Sequence, residues 1–148
     1  MATERRAEVT WSGSLLEGSG TIESVGSGAF GPLAVSWKAR AEDEHGGNTS
    51  PEELLAAAHS ACFAMALSGA LVRGGTPPDR LDVSAEVTFD KVEAGWRVVS
   101  SALTVRGKVP GITKEAFEAA SEATRTGCPI SQALIGNVAL TVEATLEP

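Results

Sequence analysis

The sequence predicts an α+β fold, with antiparallel sheets packed around one long central helix. Three observations carry this. Several stretches alternate apolar and polar residues, as half-buried strands do. A single uncharged run from Leu54 to Val72, 19 residues long, is framed by helix start and stop signals. The order along the chain is strands, helix, strands, helices, strand, which favours segregated antiparallel sheets over a parallel βαβ array.

The elements follow in order. Ala7–Trp11 and Gly20–Val25 alternate and read as the arms of a hairpin or meander. Leu33–Ala39 reads as a third strand, with Arg40 at its end. Glu42–Thr49 is polar and glycine-rich, a surface loop. Ser50-Pro51-Glu52-Glu53 starts a helix: serine caps, proline suits the first helical position, and the glutamates favour the positive end of the dipole. Arg73-Gly74-Gly75 ends it, and Pro77-Pro78 forbids continuation. Leu81–Phe89 and Val98–Val109 alternate about a turn near Ala94-Gly95. Thr113 caps a helix running to Thr126, with Ala116, Phe117, Ala120 and Ala123 as its apolar stripe. Pro129–Ile135 reads as a short helix and Val138–Leu146 as a last strand.

Bulk properties narrow the function. A chain of 148 residues suits one domain, spanning 1–148. Its net charge of −7 and lack of basic clusters argue against nucleic acid or an anionic membrane as partner. The Leu54–Val72 run has transmembrane length. Its alanines, serines and glycines, with His59 in the middle, suit instead a buried helix of a soluble protein, and the start Met1–Trp11, with no apolar signal core, reads as cytoplasmic. Two cysteines make no disulfide scaffold and no four-cysteine zinc site.

Those cysteines differ in setting. Cys62 lies inside the apolar helix, sharing a face with Leu55 and His59. Burial there raises a thiol's pKa, so Cys62 becomes a nucleophile only if a cation reaches it. Otherwise it is core packing. Cys128 precedes Pro129 at a helix start, where backbone N–H groups favour a thiolate. Local physics thus leaves open which sulfur attacks. If they meet, one attacks and the other resolves.

Arg40 is the candidate cation, with Glu52 as the carboxylate that orients it. The alternative is a surface arginine beside Glu42 and Asp43. Glu52 and Cys62 are ten residues apart on one helix, about 15 Å of rise. One arginine head group cannot touch both, so either the first turn is not helical or two chains share the site. That distance and the small-residue helix predict a homodimer. His59 is a candidate general base, or a hydrogen-bonded core residue.

Asn48–Ser68, with Ser50-Pro51-Glu52 and His59-Ser60-Ala61-Cys62, closely resembles the first cysteine motif of the OsmC/Ohr family. This family comprises osmotically inducible protein C and the organic hydroperoxide resistance proteins. Gly127-Cys128-Pro129-Ile130-Ser131-Gln132-Ala133-Leu134 is similar to the second motif. His59 and Ser131-Gln132 point to the OsmC branch. The resemblance implies an intertwined homodimer and thiol peroxidase activity on hydroperoxides, organic ones especially. It makes Cys62 the peroxidatic cysteine and Cys128 the resolving one, with Glu52 and Arg40 as the motif glutamate and arginine. The loop after Arg40 is longer than the pattern leads one to expect.

In the implied scheme Arg40 holds Cys62 as thiolate. Cys62 attacks the peroxide, a Cys62–Cys128 disulfide follows, and an external dithiol, of lipoyl or small-thiol type, reduces it. No metal or organic cofactor is called for. The apolar helix favours alkyl peroxides over hydrogen peroxide. Two other readings use the same residues: a dimer that binds an apolar ligand without catalysis, and a disulfide redox sensor.

Overall fold

A computed structural model describes all residues, 1–148. The chain divides into two compact units, Met1–Leu54 and Leu55–Pro148.

The first unit holds a three-stranded antiparallel sheet, β1 (Ala7–Ser12), β2 (Ser19–Val25) and β3 (Leu33–Val35), in that spatial order. The predicted third strand stops early. Trp37–Ala41 is a short helix, α1, because Ser36 Oγ accepts from Ala39 N and caps it. Arg40 therefore projects from a helix rather than from a strand end. Helix α2 (Pro51–Arg73) begins as its sequence requires. Pro51 takes its first position, and Ser50 Oγ accepts from Glu53 N at 3.2 Å.

In the second unit α2 ends at Arg73, where Gly75 takes φ +84° and Thr76 N donates to Leu71 O. The helix is long and apolar enough to cross a membrane by composition alone. It is not buried all round, as the sequence led us to expect. His59, Phe63, Leu67 and Leu71 form a buried stripe at every fourth residue. Ala58, Ala61, Met65 and Val72 remain exposed in this chain.

β4 (Arg80–Val92) and β5 (Gly95–Lys108) form a long antiparallel hairpin. Gly95 supplies the positive φ at its turn, and Phe89 stacks on Trp96 at 5.0 Å. β6 (Ala139–Leu146) then joins β5 in parallel, so this sheet is mixed rather than antiparallel. The reason is connectivity: the two helices between β5 and β6 return the chain to the starting end of the sheet.

Helix α3 (Lys114–Gly127) is capped by Thr113, as predicted. Its buried face differs from the predicted stripe. Phe117, Ser121 and Thr124 are buried, whereas Ala116 and Ala123 are exposed. Phe117 anchors this face: a Cβ placed on Gly107 of β5 would meet its ring at 2.5 Å. Only glycine permits so close an approach. Helix α4 (Pro129–Leu134) follows after a single linking residue, Cys128. The core joins Phe63, Leu67 and Leu71 of α2 to Leu103 and Val105 of β5, with Phe117 and Cys128.

Candidate active site

The candidate residues fall into two clusters, one in each unit. In the first unit, Arg40 and Glu52 form a two-point ion pair. Arg40 Nε donates to Glu52 Oε1 at 3.1 Å and to Oε2 at 3.2 Å, while Nη2 donates to Oε1 at 2.9 Å. Glu52 is buried and Arg40 is partly exposed. The fork geometry fixes the guanidinium plane and leaves further N–H groups directed elsewhere. A cavity of about 410 Å³ adjoins the arginine, lined by Val9, Trp11, Leu15, Val35 and Trp37. An aliphatic or aromatic group suits such walls.

In the second unit the two cysteines meet, and both are free thiols. Cys128 is the N-cap of α4, its sulfur accepting from Ser131 N at 3.3 Å. Cys62 Sγ accepts from Ile130 N at 3.5 Å. Adjacent amides of one helical turn thus hold both sulfurs. Cys62 is half-buried, whereas Cys128 is 0% exposed.

Burial pushes the Cys62 thiol up. The Ile130 N–H pulls it down, and the hydrogen-bonded Cys128 thiol and its charge push it up again. The balance lies above the ordinary thiol value. The influences of its own surroundings therefore work against a thiolate, as the apolar helix predicted.

His59 lies on the same helix face as Cys62, but its ring is engaged elsewhere. Nδ1 lies 2.7 Å from Ser101 Oγ, and Nε2 lies 2.8 Å from Ser131 Oγ. Burial lowers its pKa below the ordinary value. Ser131 Oγ in turn lies 3.0 Å from Cys128 Sγ. From sequence Ser131 reads only as a mark of the family branch, and Ser101 is not singled out. Ser101 did leave a signal: it is the polar member of the inward phase of β5, in step with Leu103 and Val105. A serine in that phase asks for a buried partner.

No group of histidine, cysteine and carboxylate side chains is arranged to hold a metal ion. The constellation is instead one of sulfur chemistry: a half-exposed thiol, a second thiol in contact behind it, and a separately built arginine–carboxylate pair.

The chain is similar to known proteins. A family profile described as OsmC-like protein matches residues 44–143. The chain is 38% identical to Peroxiredoxin OsmC of Escherichia coli K12 over 140 residues, 95% of this chain and 96% of the relative. It is 28% identical to an organic hydroperoxide resistance protein of Xanthomonas axonopodis over 98 residues, 66% of this chain and 67% of that protein. Among solved structures, an organic hydroperoxide resistance protein of Elizabethkingia anophelis covers 99% of both chains, with TM-score 0.69 and 26% identity. OhrB of Bacillus subtilis shares the fold at TM-score 0.68, covering 96% of this chain and 98% of its own, with 24% identity. With both cysteine segments inside the matched region, the chain belongs to the family of OsmC-like proteins.

Proposed function

We propose that this protein is a thiol peroxidase that detoxifies organic hydroperoxides, with Cys62 as the attacking and Cys128 as the resolving cysteine. The observation that carries the reading is the contact between a partly exposed thiol on α2 and a fully buried one at the start of α4, both held by adjacent amides of α4. The names of the relatives, peroxiredoxin and organic hydroperoxide resistance protein, support the same activity.

In this scheme the Cys62 thiolate attacks the distal peroxide oxygen. The O–O bond breaks, the alkoxide takes up a proton and leaves as alcohol, and Cys62 becomes a sulfenic acid. The Cys128 sulfur then attacks Cys62, forming the disulfide and expelling water. An external dithiol of lipoyl or small-thiol type returns both cysteines to thiols. Both must be reduced at rest, which suits the cytoplasm.

Arg40, oriented by Glu52, supplies the positive charge that Cys62 requires, since the thiol's own surroundings raise its pKa. The apolar cavity beside Arg40 favours an alkyl or aryl hydroperoxide over hydrogen peroxide. The working unit is a homodimer, and the exposed Ala58, Ala61 and Met65 of α2 support close packing against a second copy. The mass in solution tests this: an active monomer would refute it.

The decisive test is peroxide consumption with a dithiol, comparing cumene hydroperoxide with hydrogen peroxide. The reading expects the organic peroxide to be preferred and turnover to vanish in Cys62→Ser. Full turnover in that variant would end it.

A further inference from the structure

Behind the two thiols the second unit carries a buried polar line that the attack by Cys62 does not use. It runs from Cys128 Sγ to Ser131 Oγ (3.0 Å), to His59 Nε2 (2.8 Å), and from His59 Nδ1 to Ser101 Oγ (2.7 Å). All four residues are 0% exposed. Apolar residues at these positions would avoid the cost of desolvating two hydroxyls and an imidazole. The line spans three elements, α2, β5 and α4, and it ends on a sulfur.

The chemistry of its parts gives it a direction. Burial keeps His59 neutral, so the ring has one N–H and one bare nitrogen. It donates to one serine and accepts from the other. With Nδ1–H donating to Ser101, Nε2 accepts from the Ser131 hydroxyl, whose oxygen in turn accepts from the Cys128 S–H. In that tautomer the bonds from Cys128 to Ser131 and from Ser131 to His59 both point away from the sulfur, toward the imidazole.

A resolving thiol must shed its proton as it attacks, and bulk base does not reach a fully buried sulfur. We propose that Ser131 and His59 form a proton relay dedicated to Cys128 in the disulfide-forming step, with Ser101 holding the ring in place. The inference rests on the peroxidase reading above. Ser131 touches the reacting sulfur and is catalytic in this step; His59 and Ser101 act through it and are positioning residues. As the S–S bond forms and the Cys62 S–O bond breaks, the Cys128 proton passes to Ser131, whose own proton passes to His59 Nε2. The departing hydroxide recovers that proton through Ser131 and leaves as water. One thiol and one sulfenic acid give one disulfide and one water, and His59 returns neutral.

The test is a single turnover of the reduced, full-length protein with one equivalent of cumene hydroperoxide and no reductant. Two phases are followed separately: peroxide loss, and disulfide formation, with dimedone trapping any sulfenic acid between them. Ser131→Ala removes the middle of the line. His59→Gln keeps an amide able to hydrogen-bond Ser131 but gives it no nitrogen that can accept and return a proton. In both variants peroxide loss keeps its native rate, while disulfide formation slows about 100-fold and the dimedone adduct accumulates. Ser131→Thr, which retains the hydroxyl, restores the second phase.

A merely structural histidine predicts instead that Gln substitutes well. Native disulfide rates in both Ser131→Ala and His59→Gln would overturn the relay. The native protein gives an independent reading: its second phase carries a solvent deuterium isotope effect, and the absence of one refutes the relay even if a variant fails to fold. If the native protein loses no peroxide at all, it is the peroxidase reading that fails, and this is seen before any variant is compared.

Discussion

Cys62 and Cys128 lie in contact, yet their surroundings are opposites. Cys62 sits in the middle of α2, half-exposed, with its thiol pushed up by burial and by its neighbour. Cys128 sits at a helix start, fully buried, and carries a hydrogen-bonded path to a histidine. Local sequence left open which sulfur attacks. Access favours Cys62, because a peroxide must reach the sulfur it oxidises and Cys128 is fully buried. The comparison teaches that the two cysteines need different help. Under the proposed function Cys62 needs a cation, the role proposed for the Arg40–Glu52 pair, and Cys128 needs a route for its proton, the role proposed for Ser131 and His59.

The comparison breaks most sharply if the roles are exchanged. Cys62→Ser should leave peroxide consumption at background. Cys128→Ser should still consume a single equivalent and then stop, with a sulfenic acid detectable by dimedone. The opposite pattern would make Cys128 the attacking thiol.

Next in size is the cation. Arg40→Ala should slow peroxide attack at neutral pH by about 100-fold. The residual rate should climb about tenfold per pH unit while Cys62 remains largely thiol, because its surroundings raise its pKa. Stopped-flow rates across pH read this directly. A pH-independent residual rate would show that the thiolate is held by something other than the guanidinium.

A smaller effect probes the Cys128 side alone. Gly107→Ala would press a methyl group against the Phe117 ring that anchors α3, the helix leading into Cys128. It should destabilise the fold by about 1–3 kcal/mol, read as a lower midpoint in urea. The initial rate of Cys62 oxidation should change little.

The smallest effect is on acid stability. Burial holds His59 below its ordinary pKa of 6.5. The unfolded chain therefore takes up this proton at higher pH than the folded one. His59 imposes no penalty well above pH 6.5, and stability falls as the pH drops from that value toward the folded pKa. Urea midpoints measured across this range should show a decline that His59→Gln lessens.

Much of the fold was legible because local rules agreed with tertiary structure. The Ser50-Pro51 start, the Gly74-Gly75 stop, the Thr113 cap and the β4–β5 alternation each depend on a few neighbouring residues. Three features were not legible. Trp37–Ala41 looks like a strand continuing β3, but the Ser36 cap turns it into a helix. The apolar stripe of α3 reads from sequence as Ala116, Phe117, Ala120 and Ala123, whereas the buried face keeps Phe117 and takes in Ser121 and Thr124. The parallel pairing of β6 depends on where two helices deliver the chain, and no periodicity within β6 records that.

The sequence by itself determined the bounds of α2, α3 and α4 to within a residue or so, the capping position of Cys128 and the family, since each is written in contiguous residues. Tertiary structure alone decided that the two sulfurs touch, that Cys62 keeps the more open side, and that His59 faces Ser101 and Ser131 rather than Cys62. Those contacts join residues 42 to 72 positions apart in the chain. Partners that distant are chosen by the packing of α2, β5 and α4, and no local propensity encodes them.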